Sequence, residues 1–96
     1  MNQDIEFRLS RVALENLHRE AAEAGRTVGN MFRTKAFALA GAECPSFSLS
    51  GGETNRAFNC GVHPSVYARL VRVAERMGVS MSCLGELVAS FDMVSA

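Results

Sequence analysis

A mainly helical domain with one short, two-stranded antiparallel ribbon is the fold this 96-residue chain predicts. Three observations carry the prediction. The stretch IEFRLS, residues 5–10, alternates apolar and polar side chains, which is the period of a strand. Two amphipathic helical stretches follow it directly. The same order of strand, helix, turn and helix then returns 53 positions later without a gap.

In the first strand Ile5, Phe7 and Leu9 point one way and Glu6, Arg8 and Ser10 the other. RVALENLHREAAEAG follows, with Leu14, Leu17, Ala21 and Ala24 at spacings of three and four, a helix closed by Gly25. RTVGNMFRTKAFALAG then restarts. Thr27 stands as the N-cap, Val28, Met31, Phe32, Ala36 and Leu39 form the apolar stripe, and Gly41 is the stop.

In the second half Phe58, Cys60 and Val62 replace Ile5, Phe7 and Leu9. Pro64 opens the next helix, a favoured first position. In SVYARLVRVAERMG, Leu70, Arg72, Ala74 and Gly78 stand for Leu17, Arg19, Ala21 and Gly25. Ser80 takes the capping place of Thr27, and Met81, Leu84 and Val88 fall where Val28, Met31 and Lys35 stand. Met77, Met81 and Met93 read as core filler. The Pro-, Ser- and Gly-rich AECPSFSLSGGETN is a connector; its SFSLS either forms a brief extra strand or tucks in Phe47 and Leu49. The organisation is thus a first unit over 1–41, a linker over 42–55 and a second unit over 56–96, together one compact domain.

One such unit cannot bury a sufficient core, and a lone strand leaves its backbone hydrogen bonds open. Both needs are met if strand 5–10 pairs antiparallel with strand 57–62 of the same chain and the helices close over the inner face. The expectation is a βαα-βαα intramolecular pseudodimer.

With its alternating strand, a helix ending AEAG or ERMG, and a second helix opening at Thr27-Val28 or Ser80-Met81, each half resembles the ribbon-helix-helix family, the Arc and MetJ type of repressor. REAAEAGRTVGNMFRTKA is also similar to plasmid mobilisation accessory proteins, and the tandem single-chain form resembles the TraY-type accessory proteins of conjugative plasmids. The resemblance implies a protein that inserts its ribbon into the major groove of double-stranded DNA. The base-facing positions it implies are Asp4, Glu6 and Arg8 in one strand and Ala57, Asn59 and Gly61 in the other. It implies phosphate anchoring at two helix N-termini, formed by Thr27, Val28 and Gly29 and by Ser80, Met81 and Ser82. Arg11, Arg26 and Arg33 lie near the expected DNA side as phosphate contacts. A transcriptional repressor and a plasmid transfer accessory protein would use the same ribbon. The transfer role adds a protein partner, a relaxase or a host protein, and association of pseudodimers on DNA stays open.

The chemistry of these positions suits DNA only in part. Arg8 offers a bidentate pair to guanine, Asn59 one to adenine, and Glu6 an acceptor for a cytosine amine. Asp4 and Glu6 repel phosphates, and Ala57 and Gly61 read little. Ten basic residues balance ten acidic ones, so composition does not announce nucleic acid. The alternative is a protein-binding module, such as a small plasmid- or phage-encoded inhibitor, on a scaffold that has lost DNA binding.

Other classes find less support. No apolar run approaches the roughly 18–20 residues of a membrane span, so no membrane role is expected. MNQDIEF has neither the basic nor the apolar region of a signal peptide, which together with the scattered, odd-numbered Cys44, Cys60 and Cys83 favours a reducing cytoplasm. Cys60 and His63 have C-x-x-H spacing with Cys44 as a third donor, short of a zinc set; Cys60 reads as the inward strand residue matching Phe7. His18 has no acid–nucleophile set around it, so neither an enzyme, a metal nor a cofactor is expected.

Overall fold

The computed structural model describes residues 2–43, 45–47 and 53–92. Its elements run β1 (Gln3–Leu9), α1 (Arg11–Ala24), α2 (Val28–Ala40), β2 (Arg56–Val62), α3 (Pro64–Met77) and α4 (Leu84–Ser90), with a single 3-10 turn at Met81–Cys83 before α4. The chain is mainly helical and carries one two-stranded antiparallel sheet.

The alternating stretches form the strands. Phe7, Leu9, Cys60 and Val62 are buried and Ile5 and Phe58 half-buried, while Asp4, Glu6, Arg8, Ala57 and Asn59 are exposed. The register pairs Asp4 with Gly61, Glu6 with Asn59 and Arg8 with Ala57, so the outward residues of one strand oppose those of the other. At the middle of the ribbon Glu6 faces Asn59, a residue 53 positions on, the offset of the sequence repeat.

The first strand begins two residues earlier than IEFRLS and stops at Leu9. Ser10 is not an outward strand residue. It is 2% exposed and caps α1, its hydroxyl accepting from the Ala13 N–H at 3.2 Å. The chain turns into the helix there, and a cap satisfies an N–H that has no helical partner. Thr27 caps α2 in the same way, accepting from the Asn30 N–H at 3.1 Å. In the second half Pro64 opens α3 and the cap is His63, whose Nδ1 accepts from the Ser65 N–H at 3.1 Å. Gly25 and Gly78 end α1 and α3 in the left-handed conformation, at φ 68° and 71°, which glycine adopts without strain.

The core gathers Phe7, Leu9, Leu17, Phe32, Leu39, Leu70, Leu87 and Val88 between the ribbon and the helices. Phe32 packs on the rings of Phe7 and Phe58, at centroid distances of 4.7 and 5.0 Å. Gly85 stands 53 positions after Phe32 and does the opposite. A Cβ there would lie 2.7 Å from the Arg8 carbonyl oxygen and 2.8 Å from the Phe7 Cβ. β1 therefore rests directly on the backbone of α4.

Several expected core positions shift. Along α1 the buried residues are Ala13, Leu17 and Ala21; Leu14 is half-buried and Ala24 exposed. Met77 and Met81 are not core filler, being 41% and 45% exposed, because the second half is closed by Leu84, Leu87 and Val88 instead. Met93, Cys44 and Leu49 lie outside the described residues. Phe47 forms an isolated antiparallel bridge with Phe91 and packs against its ring, so the described part of the connector is tied to the end of α4.

Two buried charges tie the helices together. Glu86 of α4 accepts from the Ser10 N–H at 2.9 Å and from the Ser10 hydroxyl at 2.8 Å. Lys35 of α2 is 2% exposed; its Nζ donates to Glu20 of α1 at 2.8 Å and to the Ala89 carbonyl of α4 at 2.7 Å.

Candidate nucleic-acid interface

Strand pairing places the six sequence-derived ribbon positions on one surface. Its three rows are Asp4 with Gly61, Glu6 with Asn59 and Arg8 with Ala57. Two carboxylates and one guanidinium leave the surface with a formal excess of one negative charge. The guanidinium is already engaged: Arg8 Nη2 lies 3.1 Å from Glu6 Oε2, a pair two residues apart on the same strand face. Both side chains remain about half exposed, so the pair is solvated and readily exchanged.

At one edge the ribbon meets the start of α2. Asp4, Glu6, Asn59 and Gly61 line an open cleft with Gly29, Arg33 and Cys60, of ≈ 490 Å³. The cleft joins base-facing positions to one of the helix N-termini expected to hold a phosphate. Thr27 supplies the cap there, and Val28 and Gly29, half-buried, form the first helical turn. Arg33, one turn further, reaches the ribbon with Nη1 4.0 Å from Cys60 Sγ. The Cys60 thiol donates toward the Gly29 carbonyl at 3.6 Å. Burial pushes this thiol up from its ordinary 9.0; the neighbouring Arg33 charge and its hydrogen bond pull the other way, and Asp4 adds a smaller push upward.

The second N-terminus differs. Ser80 does not cap a helix: its hydroxyl meets Ser82 Oγ at 2.8 Å and Cys83 Sγ at 3.5 Å, and makes no capping bond. Met81 and Ser82 belong to the 3-10 turn, and the seven-residue α4 begins only at Leu84. Thr27 caps a helix and Ser80 does not, so the two positions are not equivalent.

The other two arginines expected to contact phosphate are engaged elsewhere. Arg11 pairs with Glu15 at 3.2 Å along α1, and Arg26 donates to the Thr34 hydroxyl at 2.9 Å. Of the three expected phosphate contacts only Arg33 lines the cleft. His63 is committed to the α3 cap, with Nδ1 also 2.7 Å from Ser65 Oγ. Among the described residues no three His, Cys, Asp or Glu side chains converge as a metal site would require, and no helix is long and apolar enough to cross a membrane.

Sequence reasoning missed the Arg8–Glu6 pair and the Arg33–Cys60 contact. The first was legible, since alternate strand residues share a face and these two are of opposite charge. The second joins residues 27 positions apart and had no local signal. No family model matches the chain, and no curated protein and no solved structure matches it.

Proposed function

We propose that the chain is a tandem ribbon-helix-helix pseudodimer that binds double-stranded DNA with the outer face of its ribbon in the major groove. The observation that supports this most is the register. Glu6 and Asn59 hold the same place in the two sequence units and are paired at the ribbon centre, as an approximate two-fold axis through that centre requires. The outward residues then form a continuous strip accessible to base edges.

Magnitudes decide whether Arg8 is usable. Breaking an exposed ion pair forfeits at most about 1 kcal/mol. A bidentate guanidinium–guanine pair contributes about 1–3 kcal/mol of discrimination. Exchange of Glu6 for a base is therefore favourable, and Asn59 supplies a second directional contact, to adenine. The N–H groups of the first turn of α2 and the Arg33 side chain would meet a phosphate beside the ribbon. The two carboxylates of the strip make the binding modest, because they repel the phosphates beside them. The role would be that of a cytoplasmic repressor or of a plasmid transfer accessory protein, the latter with a relaxase or host protein as partner. The Arg8–Glu6 pair also favours a second reading, a protein-binding scaffold that no longer binds DNA, because it engages the one cation among the six outward ribbon positions.

Anisotropy titrations of the wild type, Arg8→Ala and Glu6→Gln on random duplexes and on DNA flanking the gene separate the two. DNA binding by the ribbon predicts that Arg8→Ala weakens the specific complex by about 5- to 150-fold and relaxes one base pair. Glu6→Gln should strengthen binding if Glu6 only repels, and reduce discrimination at one position if it reads cytosine. No wild-type complex even at about 50 mM salt would leave the protein-binding reading. For the pseudodimer itself, an unfolding midpoint independent of protein concentration is expected; one that rises with concentration would mean pairing between chains.

A further inference from the structure

We propose that the outer face of α3, away from the ribbon, is a docking site for an acidic amphipathic protein segment. Arg69, Arg72 and Arg76 are exposed and spaced three and four residues apart, so they share one helix face. They span about 10 Å along the axis. Among the described residues none of the three has an ion pair or side-chain hydrogen bond. Three of the four basic residues in the second half of the chain lie on this face, and Glu75 is the only acid of α3.

The first half of the chain supplies an internal comparison. The residues 53 positions earlier are Asn16, Arg19 and Glu23. There the single arginine faces its own carboxylate, with Arg19 Nε 3.9 Å from Glu23 Oε1. The same face of the repeated helix is thus neutralised on α1 and left cationic on α3. The end of α2 does not account for the difference. Its Ala38 and Leu39 carbonyls are met by the Gly41 and Ala42 N–H groups, and among the described residues no arginine side chain bonds to them.

The arginines rim an open groove of ≈ 670 Å³ whose floor is apolar, made by Val73 and Ala40. Met77, 41% exposed, continues the apolar strip one turn beyond Val73. A cationic rim over an apolar floor suits carboxylates spaced by helical turns with an apolar residue between them. It suits a DNA backbone less, because phosphates have no apolar group to bury against Val73 and Ala40. The groove lies at the C-terminal end of α2, about 18 Å along that helix from Thr27 and Gly29. It is therefore at the opposite end of α2 from the turn that lines the ribbon cleft. The inference does not depend on DNA binding by the ribbon.

The test uses the full chain, ¹⁵N-labelled, and a fluorescent 14-residue helical peptide of Glu, Leu and Ala with its carboxylates one and two turns apart. A Gln-for-Glu version of the peptide and a random 20-base-pair duplex are the controls. The expected result is peptide binding that the triple variant Arg69→Gln/Arg72→Gln/Arg76→Gln weakens by about tenfold or more, that the triple Lys variant largely retains, and that Arg19→Gln leaves alone. Amide shifts should map to α3 and the end of α2. Should the triple Gln variant fail to fold, this shift map on the wild type decides alone. Equal binding of the Gln peptide, equal binding by a folded triple Gln variant, or shifts confined to the ribbon would overturn the proposal. So would loss of duplex binding in the triple variant without loss of peptide binding, which would make the face a DNA surface.

Discussion

Gly85→Ala tests the tightest seat among the described glycines. The added Cβ would meet the Arg8 carbonyl oxygen at 2.7 Å, the Phe7 Cβ at 2.8 Å and Leu9 Cδ2 at 3.0 Å. Two of these three neighbours are backbone or backbone-attached atoms that cannot rotate away. Restoring the ordinary 3.4 Å from 2.7 Å needs β1 or α4 to move by about 0.7 Å. Both elements are packed on the same core, so overpacking of this kind costs about 1–3 kcal/mol. Against it, alanine in a helix gains about 1 kcal/mol over glycine. Gly29→Ala in α2 cancels that gain, because its nearest neighbour is the mobile Arg33 Nη1 at 3.8 Å. Urea denaturation should place Gly85→Ala about 1–3 kcal/mol below Gly29→Ala, with m unchanged. In a domain of this size each kcal/mol is about 4–8 °C in melting temperature. If Gly85→Ala proves as stable as Gly29→Ala, the ribbon does not rest on α4 as described.

Three further outcomes are expected. Phe7, 3% exposed, should cost about 3–5 kcal/mol on change to Ala, whereas Glu6→Ala on the opposite face should stay within about 0.5 kcal/mol; equal losses in denaturation would refute the strand register. Glu20→Ala leaves the buried Lys35 ammonium with the Ala89 carbonyl and should cost about 3 kcal/mol; Lys35→Met removes the charge, leaves Glu20 at 36% exposure to hydrate, and should cost about 1–2 kcal/mol. The reverse order in melting experiments would mean the ammonium is solvated. The raised Cys60 thiol contributes stability that is complete below its ordinary 9.0 and is lost as pH climbs past that value through the folded one, since the unfolded chain ionises first. Denaturation of the wild type and Cys60→Ala in steps upward from pH 8 should show the steeper decline in the wild type; parallel curves would refute it.

Local sequence carried the elements and their faces. The two-residue period of β1 and β2 separates Phe7 and Cys60 from Glu6 and Asn59, because a strand alternates its side chains by geometry alone. Gly25, Gly78, Thr27 and Pro64 mark helix ends for reasons confined to one turn of chain. The 53-residue offset pointed to pairing between the two strands, and the six outward ribbon positions were implied by the family resemblance. Tertiary structure decided what joins distant residues. Ser10 is held by Glu86 from 76 positions away, which fixes the first turn of α1 and brings Ala13 inward in place of Leu14. Lys35 reads as polar, yet its long stem lets it lie in the core and bond across three helices. Gly85 looks like an ordinary helix glycine until β1 is laid on it, and that contact accompanies a short, uncapped α4 in the half where a copy of α2 was expected. Periodicity records which face of an element is buried; it holds no record of how near the neighbouring backbone must come, and that distance is set only when all the elements pack together.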